Sequence, residues 1–184
     1  GVAYGWRVQI LSQTEQTATL RIWNARYLGE ISPDKTVVQA GEKITYRYQI
    51  PGNLGADFNL FACVPLDQAK LTYVDGSVTN GAIALTQSCD AVAAALSAGQ
   101  GLPSASANAA DPVVAIGWTA YIKNGGNAGF GFSVTARPGA GIIDTVAAQL
   151  YRDGLLWSAA RDLPATPVRV TWPFEGYLPL TIKQ

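Results

Sequence analysis

Cys63 and Cys89 are the residues of this sequence best suited to chemistry. An even number of thiols in a chain with the marks of export favours one disulfide, and the loop-entropy relation gives such a bridge roughly 3–4 kcal/mol. Two buried free thiols are the alternative. A zinc site is not expected, because the sequence has no His, no CxxC and no third Cys. Nucleophilic catalysis lacks its usual base, since a Ser or Cys nucleophile would have to rely on a Lys or an N-terminal amine. Asp57, Asp67, Asp75 and Asp90 could in principle supply a carboxylate pair for glycoside hydrolysis. Scattered at turns, they read as caps and surface charges. The glycines of NGGNAGFG (124–131) would need a following helix to cradle phosphate, and read as a hairpin turn. No DxDxDG calcium loop occurs. An internal Lys–Asx crosslink would need a buried lysine, and Lys43 falls on the polar face of its strand. The expectation is a protein without enzymatic activity, cofactor or metal.

The elements that must hold these residues are strands. KITYRYQI places Ile44, Tyr46, Tyr48 and Ile50 on one face and Lys43, Thr45, Arg47 and Gln49 on the other. WRVQIL and TATLRIW alternate in the same way, with a polar SQTEQ between them as a hairpin loop. Further strands are expected at FNLFACV, KLTYV, VVAIGWTAYI, AGFGFSVTA, IIDTVAAQLY, PVRVTW and YLPLTI. DGS, KNGGN, RPGAG and RDG supply turns between them. Many short strands without alternating helices predict an antiparallel sandwich. CDAVAAALSAGQGLPSASANAADP (89–112) differs: it reads as an insertion, with Asp90 capping a short helix, Gly99 ending it and a flexible loop after.

Charge narrows the function. The 13 basic and 13 acidic residues cancel, and only 14% of the chain is charged against about 25% for an average soluble domain. A neutral chain offers no footprint for nucleic acid, and no apolar run reaches the ~20 residues of a membrane span. Weak self-repulsion suits a protein that packs against its own copies. The sequence lacks Met, so Gly1 reads as the first residue after a cleaved leader, which predicts an extracellular or cell-surface location.

The order of segments carries a resemblance. VVQAGEKITYRYQI, CVPLDQAKLTYVDGSV, AIGWTAYI and AGFGFSVTARPGAGIIDTVAAQL together resemble the conserved-repeat family catalogued as domain of unknown function eleven. Gly41–Ile50 matches its Gly-acidic turn and following strand. Val64–Pro65 with Leu71–Val78 matches its LP…LTYVSGS segment, Ile116–Trp118 its Trp-bearing strand, and Phe130–Leu150 its closing pair. The match spans about residues 36 to 151. Asp144 stands where the family usually has Asn, and the Ala-rich insertion is extra. The resemblance implies an immunoglobulin-like sandwich used as structural or adhesive surface material, and brings no catalytic residues.

The expected organisation is an N-terminal strand arm (1–35), a sandwich (36–151, insertion 89–112) and a C-terminal strand arm (152–184). Each arm either completes its own sheet or fills a groove in a neighbouring subunit by β-strand addition. The second fate builds a head-to-tail homopolymer. Trp6, Val8 and Ile10 are the expected donor side chains, worth about 5–8 kcal/mol of burial before association costs. Pro164, Pro167, Pro173 and Pro179 make the C-terminal arm the better edge strand or clasp. The sequence therefore predicts an exported filament or surface-layer subunit. The alternative is a monomeric adhesin or carbohydrate-binding module, with Trp and Tyr rings stacking on a surface glycan.

Overall fold

A computed structural model describes residues 6–13, 17–24, 29–50, 57–103, 112–123, 126–152, 155–156 and 163–171. The chain is a mainly antiparallel β-sandwich. One layer has the order β3-β5-β10-β7, formed by β3 (Glu30–Pro33), β5 (Lys43–Ile50), β10 (Ala128–Ala136) and β7 (Leu71–Tyr73). The facing layer has the order β13-β12-β6-β9-β8. It is built from β6 (Phe58–Pro65), β8 (Ile83–Leu85), β9 (Ala115–Ile122), β12 (Ala147–Arg152) and β13 (Leu155–Leu156), with β14 (Leu163–Pro164) also pairing to β12.

The alternation in β5 dictates its seat. Ile44, Tyr46, Tyr48 and Ile50 are buried, while Lys43, Arg47 and Gln49 are exposed. They face Phe58, Leu60, Ala62 and Val64 of β6 and Ile116, Trp118 and Ile122 of β9 within one core. An aromatic cluster fills its middle. The Tyr46 ring lies 5.4 Å from Phe132, Tyr48 5.5 Å from Phe130, and Trp118 5.3 Å from Phe130, separations at which ring pairs attract. Gly129 lies opposite Gln49 in β5, where an added Cβ would strike the Tyr48 carbonyl; only glycine permits that approach.

Strands from both flanks of the 36–151 span enter this body. β3 precedes it. From the C-terminal side, β15 (Val168–Thr171) runs between β11 (Ile142–Ile143) and β4 (Val37–Gln39), antiparallel to the first and parallel to the second. Val168 and Ala165 are buried in the main core with Val38 and Ile143. This part of the predicted arm completes its own sheet. β1 (Trp6–Gln13) and β2 (Ala18–Asn24) form a separate two-stranded antiparallel sheet.

Two local expectations are corrected. NGGNAGFG is not a hairpin turn: β9 pairs with β6 and β8, whereas β10 pairs with β5 and β7, so the segment crosses from one layer to the other. Helix α1 (Cys89–Ser97) is capped by Ser88, whose hydroxyl accepts from the Ala91 amide at 3.3 Å, and not by Asp90. Asp90 sits in the first turn instead. Gly99, at φ +76°, ends the helix as expected, its amide reaching the Leu96 carbonyl.

Candidate functional site

The outer face of the β6–β9 layer carries the chemistry-bearing residues. β6 is apolar on both sides: Phe61 and Cys63 point away from the sandwich core into a second one. There they meet Val92 and Ala93 of α1, Leu85 and Tyr151. Cys63 is joined to Cys89 at the start of α1, as the even thiol count predicted. The bridge and this apolar patch hold the helix on the sheet. The Tyr151 hydroxyl adds a hydrogen bond to Asp90 Oδ1 at 3.0 Å.

Beside α1 the sheet is open. A groove of about 550 Å³ runs over Asn59 and Phe61 of β6, Thr119 and Tyr121 of β9 and Tyr151, with Leu96 on the helix side. Asn59 lies opposite Tyr121, and Phe61 opposite Thr119. Tyr121 is 57% exposed. Its hydroxyl donates to Asp57 Oδ2 at 3.1 Å, and this bond to a carboxylate raises the phenol pKa above its ordinary value. Alternation along β9 marks the site in the sequence, since Thr119 and Tyr121 fall on the face opposite Trp118. The large count of aromatics obscured it.

A second surface lies over the β5–β10 layer. Ser133 N–H donates to Ser77 Oγ at 2.9 Å, and the Gly131 N–H donates to Thr79 Oγ1 at 2.8 Å. Thr79 N–H donates to the Gly131 carbonyl at 3.0 Å, and Asn80 Nδ2 to the Gly129 carbonyl at 2.9 Å. Past the end of β7, side chains thus stand in for a neighbouring strand along β10. Gly129 and Gly131 leave a trough of about 920 Å³, flanked by Arg47, Thr45, Ser77 and Thr79.

The remaining candidates separate into local roles. Asp67 accepts from the Ala69 amide and Asp75 from the Gly76 amide, each closing a turn. Lys43 is exposed. Lys70 donates to the Ile142 carbonyl at 2.8 Å and to Asp144 Oδ1 at 3.0 Å, and this bond holds the Asp144 carboxyl below the usual carboxylate range. Ser32 and Lys35 stand at an SxxK spacing, but Lys35 Nζ reaches Glu42 Oε1 at 3.3 Å. Among the described residues, no group of three or more His, Cys, Asp and Glu could hold a metal. No helix among them is long and apolar enough to cross a membrane. Trp6, Val8 and Ile10 lie in β1, opposite Asn24, Ile22 and Leu20. Their side chains fall outside the described residues, as do Trp157, Trp172 and the YLPLTI segment.

No family model matches the chain, and no curated protein matches it. Among solved structures it is similar to a cohesin module from Clostridium perfringens ATCC13124 family 33 glycoside hydrolase. The identity is 13%, the coverage 78% of this chain and 97% of that one, and the TM-score 0.36. A type II cohesin domain from the cellulosome of Acetivibrio cellulolyticus gives 12% identity, 66% and 74% coverage and a TM-score of 0.33. The Pseudomonas fluorescens alkylpurine DNA glycosylase AlkC bound to DNA gives 10% identity and a TM-score of 0.34; 77% of this chain spans 30% of that one. Likenesses this distant carry no functional argument, and the assignment of a sandwich rests on the chain's own strand order.

Proposed function

We propose that this chain is an exported structural subunit of cell-surface material, joined to copies of itself by β-strand addition, with Trp6–Gln13 as the donor strand. The observation that carries the reading is the separate β1–β2 ribbon. An isolated two-stranded ribbon is marginal in water. This one alternates apolar residues at Trp6, Val8 and Ile10, and opposes Val8 to Ile22 and Ile10 to Leu20. Such a ribbon gains most of its stability from a surface that covers one face or extends one edge. The Cys63–Cys89 bridge supports an oxidising compartment. The motif order that resembles the domain-of-unknown-function-eleven repeats fits the same role.

Negative-stain images of the purified chain should show polymers, and a chain lacking residues 1–12 should stay monomeric with its sandwich intact. A shortened chain that still polymerises would remove β1 from the donor role. A second reading, a monomeric adhesive module, is favoured by β15, which fills the place between β11 and β4 from within the same chain. Monodisperse full-length protein at high concentration would select it.

A further inference from the structure

From the groove beside α1 we infer a binding site for a neutral pyranose ring of a glycan, with Tyr121 as the stacking platform. This does not rest on the assembly reading.

Three observations lead there. Tyr121 is one of three large apolar side chains left exposed among the described residues. Unlike Val37 and Ile142, it is fixed at its far end, where the hydroxyl is bonded to Asp57. A ring pinned in this way loses little freedom when a flat ligand lies on it. The lining of the groove carries no formal charge, and sets the exposed Tyr121 ring beside the Asn59 amide and the Thr119 hydroxyl, over a floor to which the buried Phe61 and Tyr151 contribute. That mixture suits a ring with apolar C–H faces and hydroxyls at its rim; the carboxylates at its border, Asp57 and Asp90, are engaged by the Tyr121 and Tyr151 hydroxyls, and an anionic ligand finds no partner in the lining.

The floor also excludes an extended peptide. β6 and β9 pair with each other along the whole groove, from Phe58 opposite Ile122 to Pro65 opposite Ala115. Backbone groups point along the plane of the sheet, so a strand laid across this face finds no ladder. A ligand here must bring its own hydrogen-bonding groups. The volume lies within the ~300–1,000 Å³ of small-molecule sites, and the wall is rigid, because α1 is tied to β6 through Cys89 and Cys63.

The test is a titration of the full chain with methyl glycosides of glucose, galactose, mannose and N-acetylglucosamine, followed by amide chemical shifts. At least one sugar should shift the Asn59, Thr119 and Tyr121 amides together in a saturable way at millimolar concentration. Tyr121→Ala should weaken that sugar at least tenfold while leaving the melting temperature within a few degrees, since the ring is largely outside the core. Tyr121→Phe, which keeps the platform and loses the Asp57 bond, should weaken it by a smaller factor. No saturable shift in this patch with any of the four sugars overturns the proposal. So does an affinity unchanged in Tyr121→Ala. Polymer formation by Tyr121→Ala should be unaltered, which separates this outcome from failure of the assembly reading.

Discussion

The hydroxyl of Thr79 sits where the carbonyl of a neighbouring strand would otherwise be, accepting from Gly131 N–H. Ser77 does the same for Ser133. Short hydroxyl side chains readily mimic backbone in this way, and the cost of removing one follows from what it leaves behind. Thr79→Val keeps the volume and strands the Gly131 N–H in a half-buried site, so urea unfolding should show a loss of about 1–3 kcal/mol with an unchanged slope. An unaltered midpoint would mean that water replaces the hydroxyl without penalty. Little of this pattern could be read from SVTNG beforehand. Asp75-Gly76 announces a turn, and Gly76 does take φ +66°. Ser and Thr after a turn are common, and only the three-dimensional placement of β10 gives them backbone to bind. Asp90 is not the cap because Ser88 and Asp90 are both good caps, and the helix already begins at Cys89, directly after Ser88.

At the scale of elements, period-2 strands with one buried face were legible, and β5 is the clearest case. β6 was legible as a strand, and Phe61 and Cys63 make the second face of FNLFACV apolar too, but the cover itself could not be read from the segment, because it comes from α1, attached through Cys89. NGGNAGFG misled because a Gly/Asn segment is compatible with either a tight hairpin or a passage between layers; the pairing partners of the strands on each side decide it. The disulfide belongs to this scale. It closes a loop of 26 residues, for which chain entropy gives about 3.5 kcal/mol. Cys89→Ser should lower stability by roughly that amount, and by less if native-state contacts relax. Amide exchange in α1 should rise well before exchange in β5 and β10, since the helix is held to the sheet by the bridge and a small apolar patch. Uniform acceleration across both layers would show instead that the helix and sandwich unfold as one unit.

For the molecule as a whole, a neutral and sparsely charged chain places its stability in the core, and the core is aromatic. Tyr48 is buried and its phenol pKa is raised by that burial; Tyr46 is raised by burial and by the nearby Asp34 charge. The sign follows directly. Above the ordinary phenol value near 10, the unfolded chain gives up these protons and the folded chain keeps them, so stability present below that pH declines as it is exceeded. Absorbance titration should therefore show Tyr46 and Tyr48 silent past pH 10 until a cooperative unfolding step ionises them together. Gradual ionisation of every tyrosine with the fold intact would contradict the buried placement. The sandwich class was legible from strand count and turn spacing. The path of the C-terminal segment was not, because PVRVTW has the same alternation whether it closes its own sheet or a neighbour's.

The closure by β15 has a mechanical meaning. β4 leads back toward the N-terminus and β15 leads on toward the C-terminus, and the two run side by side in the same direction. Tension applied to the two flanks of the body, once it has drawn β3 off β5, therefore pulls the pair lengthwise past each other, so that the bonds from Arg169 to Thr36 and from Ala40 to Thr171 must rupture nearly together rather than unzip one at a time. A body fastened in this manner resists stretching along its axis far better than peeling from its side, a property well matched to material under load.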